Sequence, residues 1–561
     1  MTSRKNKNNQ LHLLLLLGWL VIGVALRFTN LDLKPASSIE IATLGFSLGH
    51  GFSQIPLDQV ISASTLLSPL RFDSSVSSAD VIGNLMREST HPPLYFWLTF
   101  WWTKLFVGDG ELVSLFVGRS LSAIFGSLAI PAIFGLSWLA FRDRTIAHLA
   151  ALLMAVSPYG IYLAQETRHY TLTILWVIAS LTFLILATQH IYRRIKLPIW
   201  SVFLWVLVNS LGIATHYFFS LALGAEGLVM LGLLVWDYRR QESTQFSFSY
   251  WLPIVAVGLG TLVGCLVWLP VVSGISSNQL TDWIETSFDL DEVWQPIPRL
   301  IIWLITMVMM LPVEGTSLVV TVISALVILS VLIWIIPALV RGWKSSLKSS
   351  MGFPLRILGG YWLAVIMIFF VVIYGLGKDI SLAARYHFVY FPVVLVLIAV
   401  ALAHHWQNSS NFDAIAKRVV VVLVLMGFLG SLTVVNNLGF QKSRNSDRLA
   451  AHIQANATVP TLVAMTYDTH SQLRELIALA LSFERLSQSF SPEFLLVRRN
   501  KGQDQSFATL SEVLRSRSKP LNLWGINLKI GKESLSQINC TPDKKLRISN
   551  TGYRNRFYLC R

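Results

Sequence analysis

The chain has 561 residues, 53% of them hydrophobic and only 13% charged, with a mean hydropathy of +0.57. Soluble domains carry about 25% charged residues, so this composition excludes a large soluble protein and indicates a polytopic, α-helical membrane protein. The net charge of +15 does not point to nucleic acid: the basic residues gather at the ends of apolar runs, where positive-inside topology and anionic lipid account for them, and no Walker loop, zinc-finger spacing or dinucleotide fingerprint is present.

Residues 1–10 are polar and basic (Arg4, Lys5, Lys7), and the apolar run Leu11–Leu26 follows. No small-residue cleavage site comes after it, so the reading is a retained first helix with a cytoplasmic N-terminus. Short loops rich in Lys and Arg stay cytoplasmic. Five such clusters occur: Arg142 with Arg144; Arg193, Arg194 and Lys196; Arg239 and Arg240; Arg341, Lys344, Lys348 and Arg356; and Lys417 with Arg418. Crossings near 11–26, 115–139, 145–164, 171–190, 199–215, 219–236, 252–273, 317–339, 357–376, 387–403 and 419–437 put every cluster inside and the tail outside. The runs Leu94–Val107 and Leu300–Leu311 do not fit this alternation. Both are short for a span of about 20 residues, and both are expected to lie along the outer interface or re-enter from it. The expected fold is therefore about 11 crossings plus two interfacial or re-entrant helices, up to 13 crossings in all. It divides into a transmembrane domain over 1–438, with a first extracytoplasmic loop at 28–93, and a small extracytoplasmic α/β domain over 439–561.

The tail regains charge and alternates helical with strand-like stretches: a helix near Asp447–Gln454, a strand at Pro460–Met465, a helix over Ser471–Phe483, and strands at Phe494–Val497, Asn522–Leu528 and Arg556–Leu559. Of three cysteines, Cys265 lies in an apolar run, while Cys540 and Cys560 share the tail and could either pair in an oxidising compartment or stay free.

On this topology four polar clusters fall at helix ends on the outer face: Lys34–Glu40, Glu88–His91, Gln165–Tyr170, and His216-Tyr217 with Arg385-Tyr386-His387. Their convergence suggests one cavity, against the plainer reading that polar residues collect at helix ends in any membrane protein. Arg168 could meet lipid headgroups, or could grip a phosphate with its planar donor fork. Glu166 would partner it or accept from a sugar hydroxyl. His91, followed by Pro92 and Pro93, could contact phosphate. With Glu88 it also makes a Glu-x-x-His pair, a weak candidate for a divalent metal, and no other cofactor is expected. Glu40 stands in an otherwise uncharged stretch, as a solvated loop carboxylate or as a general base.

Three segments resemble the membrane-embedded GT-C glycosyltransferases, in particular the branch of protein O-mannosyltransferases and lipid A aminoarabinose transferases. His91-Pro92-Pro93-Leu94-Tyr95-Phe96 is similar to the family's HPPLYY-type segment. Ser157 through Tyr170 (SPYGIYLAQETRHY) is similar to its SPFxxYYAQEARxY segment. Lys34-Pro35 through Glu40 is similar to its first-loop KPxWxDE segment. The resemblance implies an inverting transferase that takes a sugar from a polyprenyl-phosphate carrier and passes it to an extracytoplasmic lipid, glycan or protein acceptor; the overall pattern fits a bacterial inner membrane, with the endoplasmic reticulum as the alternative. With the outward polar clusters, the roles expected are Glu40 as base and His91, Arg168 and Arg385 on the phosphate. Tyr170 and His216 would line the pocket, and Lys34, Glu88, Glu166 and Tyr386 complete the expected substrate-binding set. The sequence departs from the pattern at the catalytic pair: the family's Asp-Glu reads Ile39-Glu40. Either Glu40 takes the role, or Glu88 or Glu166 does, or the protein keeps only binding of lipid-linked sugar or a partner.

Overall fold

A computed structural model describes residues 2–240, 247–273, 284–285, 292–407, 413–486, 490–499, 505–530 and 535–561. The chain forms two compact units. One comprises Met1–Leu31, Thr90–Tyr95 and Arg119–Phe440; the other comprises Asp32–Ser89, Phe96–Gly118 and Gln441–Arg561.

The first unit is helical. Seven helices among the described residues are long and apolar enough to cross a membrane: Asn9–Phe28, Leu115–Phe141, Tyr170–Tyr192, Phe219–Arg239, Leu318–Leu347, Gly352–Gly375 and Lys417–Val435. The stretch expected as one crossing at 145–164 is instead two helices, Arg144–Ala155 and Pro158–Ala164, bent by 54°. The cause is local: Ser157 accepts from Gly160 N–H as an N-cap and Pro158 opens the second helix, where its missing N–H costs nothing. The apolar run at 252–273 also divides, into Leu252–Leu266 and Leu269–Ser273. Pro270 cannot donate to the carbonyl four residues back. Where a crossing is expected from His387, the helix starts at Phe391, after 3₁₀ turns over Ala384–Val389. Four apolar helices, Ile199–Thr215, Leu252–Leu266, Pro296–Thr306 and Phe391–Gln407, are only 10–17 residues long. The two odd runs of the sequence become 11-residue helices, Leu94–Lys104 and Pro296–Thr306.

The break at 156–157 is fastened by polar groups. Fully buried Arg27 donates to the carbonyls of Met154 (2.8 Å) and Ala155 (3.2 Å) at the end of the first half-helix, where a cation also complements the helix dipole. Ser431 donates to Val156 O at 2.8 Å and Ser157 to Met307 O at 2.7 Å.

The second unit joins the first loop to the tail. Its six-stranded sheet has the order β1-β3-β2-β4-β6-β5, with β1 Val60–Ile61, β2 Thr461–Tyr467, β3 Glu493–Arg498, β4 Leu521–Ile526, β5 Cys540–Asp543 and β6 Asn555–Cys560. Strands β3, β2 and β4 are parallel, linked by the helices His470–Leu486 and Gln505–Ser516; β1, β5 and β6 pair antiparallel. Alternate residues serve opposite cores. Val463, Met465, Phe494 and Leu496 face one, and Leu462, Ala464, Leu495 and Val497 the other, which is why these strands read as continuous apolar runs. The helix Gln505–Ser516 and the strands β1 and β5 were not expected from the sequence. Cys540 and Cys560 are register partners in β5 and β6 and are disulfide-bonded.

Candidate functional site

In the helical unit the segment Gln165–Tyr170 forms a tight turn between two helices. Its Arg168 N–H donates to Glu166 O at 2.7 Å. Ser122 Oγ donates to Arg168 O at 2.9 Å and lies 2.7 Å from Tyr95 Oη, so the turn is held from the neighbouring helix. Arg168, only 5% exposed, directs Nη2 at His91 Nε2 over 3.1 Å. A guanidinium is always a donor, so His91 accepts on Nε2 and carries its proton on Nδ1. The same guanidinium reaches Tyr170 Oη at 3.4 Å and lies 5.4 Å from that ring's centroid.

His169 sits at the middle of an aromatic ring of contacts: His216 at 4.4 Å, Tyr170 at 4.8 Å, His91 at 5.6 Å and Tyr95 at 6.0 Å between centroids. Burial, then the charges of Arg168 and its neighbours, holds His169 neutral, well below its usual range. Burial, with Arg168 and Arg385, lowers His216 to about 3. His216 Nδ1 accepts from Phe218 N–H at 3.0 Å, which leaves its proton on Nε2. Arg385 stacks on Tyr386, 5.2 Å from its centroid. Burial works against its charge, and the phenols of Tyr170, Tyr386 and Tyr162 more than offset that. The result is two guanidiniums among neutral imidazoles and phenol hydroxyls, a set of donors that suits an oxyanion with more than one oxygen.

His91, Arg168, Tyr170, His216, Arg385 and Tyr386 are thus brought together in this unit, and Glu166 lies buried in the same turn. Lys34, Glu40 and Glu88 belong to the second unit. There Glu40 is fully buried at the start of the helix Ser38–Ser47 and forms a capping box with Ser37. Its Oε2 accepts from Ser37 N–H (3.2 Å) and lies 3.1 Å from Lys442 Nζ. Lys34 is buried, 3% exposed. Glu88 accepts from Phe52 N–H at 2.8 Å and packs on Gly51, where a Cβ would come within 2.4 Å of its Oε1. The helix Ser78–Glu88 ends at Glu88, so Glu88 and His91 do not share a helical face. Among the described residues no group of three or more His, Cys, Asp or Glu is placed to hold a metal ion.

Two participants were not singled out from the sequence. His169 stands in the same segment as Glu166, Arg168 and Tyr170, with no sequence signal that sets it apart from them. Lys442 lies about four hundred residues from Glu40 and carries no local signal.

No protein-family model matches the sequence, and no curated protein matches it. Solved structures do. ArnT from Cupriavidus metallidurans bound to undecaprenyl phosphate is 12% identical, with 97% of each chain covered and a TM-score of 0.51. The same protein in the apo state gives 12% identity, 96% of this chain and 97% of that one, and a TM-score of 0.52. Archaeal oligosaccharyltransferase AglB from Archaeoglobus fulgidus, in complex with an inhibitory peptide and a dolichol-phosphate, is 10% identical over 98% of this chain and 74% of its own, at a TM-score of 0.47. The likeness to ArnT is one of fold, and it runs nearly end to end, through the helical unit and the tail alike.

Proposed function

We propose that the protein is a membrane glycosyltransferase that takes a sugar from a polyprenyl-phosphate donor. The observation that carries the reading is the pair of guanidiniums, Arg168 and Arg385, set among neutral His91, His169 and His216. In such a transfer the acceptor oxygen or nitrogen bonds to the anomeric carbon as the carbon–oxygen bond to phosphate breaks. The donor's phosphate leaves with one more negative charge than it brought. Fixed cations in a site poor in water stabilise that charge most at the transition state. Arg168 and Arg385 hold the phosphate oxygens, His91 orients Arg168, and Tyr170 and Tyr386 fix the guanidiniums on their rings. The ArnT of shared fold was solved with undecaprenyl phosphate, a ligand of the same class. The orientation that goes with this function has a cytoplasmic N-terminus and an outer tail, supported by the five basic loops and by the Cys540–Cys560 bond. A bacterial inner membrane is the setting it fits, with a lipid, glycan or protein acceptor.

Glu40 is the proposed base, taking the acceptor's proton, with Lys34, Glu88 and Glu166 as further substrate contacts. A second reading is favoured by one observation: Glu40 already serves the capping box and Lys442, and Ile39 beside it cannot accept a proton. On that reading the protein binds lipid-linked sugar without transferring it. Transfer from a pool of radiolabelled polyprenyl-phosphate sugars separates the two. The first reading expects measurable transfer that falls on the order of 100-fold or more in Glu40→Gln, as for loss of a general base. Inert wild type that gains transfer in Ile39→Asp supports the second.

A further inference from the structure

From Gln441 to Arg561 the sequence holds 19 Lys and Arg against 9 Asp and Glu, ten of the chain's fifteen net positive charges. Much of this excess is concentrated inside one disulfide loop. Between Cys540 and Cys560 stand Lys544, Lys545, Arg547, Arg554 and Arg556, with a single acid, Asp543. All five cations are exposed. Elsewhere in the tail several basic residues are paired, Arg444 with Glu475, Arg485 with Asp447, Arg499 and Lys529 with Asp468, and Arg517 with Glu493. Among the described residues none of the five makes an ion pair.

The loop that carries them is fixed. Cys540 is bonded to Cys560. Asn555 closes the base of the turn, donating to Ile548 O at 2.8 Å and accepting from Ile548 N–H at 3.1 Å. His452 Nε2 lies 2.7 Å from Leu546 O, and Leu546 and Ile548 pack on the core below. Arg554 and Arg556 are two apart, at the start of β6, and so point to one side of the sheet. Five like charges on an ordered hairpin repel one another, and an anionic partner relieves that repulsion without first having to order the loop.

We infer that this hairpin binds an anionic glycan chain, one bearing phosphate, sulfate or carboxylate groups. Three observations select that class. The aromatic residues of the hairpin, Tyr553, Phe557 and Tyr558, are buried, so nothing is offered for the base stacking by which single-stranded nucleic acid is held. The disulfide belongs in an oxidising compartment, where nucleic acid is not the available polyanion. The only large hydrophobic residue exposed from Gln441 onward among the described residues is Leu486, outside the hairpin. A surface that inserted into a bilayer would show more.

The test uses full-length protein in phosphatidylcholine nanodiscs, with heparin and polygalacturonate as sulfate- and carboxylate-bearing probes and phosphatidylglycerol vesicles as the competing anionic surface. Binding of at least one glycan probe is expected, weakening as salt is raised. It is expected to fall about tenfold or more when all five cations become Gln, and to survive their replacement by the alternative cation, Lys for Arg and Arg for Lys. An unchanged melting temperature of the Gln variant separates loss of binding from loss of folding; if that variant melts early, Arg554→Gln with Arg556→Gln is read in its place. Equal glycan binding by the folded Gln variant overturns the inference, as does wild type that binds the vesicles but neither glycan.

Discussion

A guanidinium and an imidazole can share a buried site only if the imidazole gives up its proton, and that condition governs the residues around Arg168. His169 and His216 are kept neutral by burial and by the two arginines. A histidine whose folded pKa lies below its unfolded value contributes no penalty above the unfolded pKa of about 6.5. Below it the unfolded chain binds the proton and the folded one does not, so stability falls as pH drops from about 6.5 toward the folded value of about 3 for His216. The expected slope is about 1.4 kcal/mol per pH unit for each such histidine. Denaturant midpoints of the purified protein between pH 7 and 4.5 should therefore fall, and His216→Gln should flatten the curve; equal slopes would show that His216 titrates freely. Arg168, Tyr170 and His91 were legible because they sit in contiguous segments with a motif around them. Glu40 was legible as a lone charge and as the last residue of a short first-loop segment that departs from its pattern at Ile39. Its burial and its pairing with Lys442 depend on a contact between distant parts of the chain, which no local pattern encodes.

At the scale of elements, four consecutive apolar helices are stitched by one polar chain. Ser180, on Tyr170–Tyr192, has its Oγ 2.8 Å from both Asn209 Oδ1 and Glu226 Oε2, and accepts from Trp205 Nε1 at 3.0 Å. Asn209 Nδ2 donates to Thr261 Oγ1 at 3.0 Å. A hydroxyl has one proton and cannot satisfy two acceptors. The count closes when Glu226 is a neutral acid donating to Ser180, which in turn donates to Asn209. Glu226→Gln, which keeps a donor, is expected to leave thermal stability within a few degrees of wild type. Glu226→Ala, which takes a donor from buried Ser180 and leaves a void beside it, should cost about 1–3 kcal/mol. A Gln variant as unstable as the Ala variant would contradict the protonated acid. Element bounds were mostly readable because caps and prolines set them. The apolar runs at 145–164 and 252–273 divide into two helices each, because Pro158 and Pro270 interrupt the backbone ladder where the apolar pattern runs on unbroken.

For the whole molecule, composition gave the class correctly, and alternation of strand and helix gave the tail's α/β character. The membership of the first loop in the tail's sheet was not legible. Two residues, Val60 and Ile61, make that strand by pairing with Leu495 and Phe494, and two residues carry no periodicity. The separate cores of the two units likewise follow from tertiary packing. Binding of a donor phosphate is the task proposed for the cationic cluster around Arg168 and Arg385. The most direct measurement is the affinity of the purified protein for undecaprenyl phosphate, with undecaprenol as the uncharged control. Wild type should bind the phosphate and not the alcohol. Arg168→Ala and Arg385→Ala should each weaken binding by roughly 10- to 100-fold, the loss of a charge-assisted hydrogen bond, with melting curves that still report a folded protein. A folded double variant that binds undecaprenyl phosphate as wild type does would contradict the account.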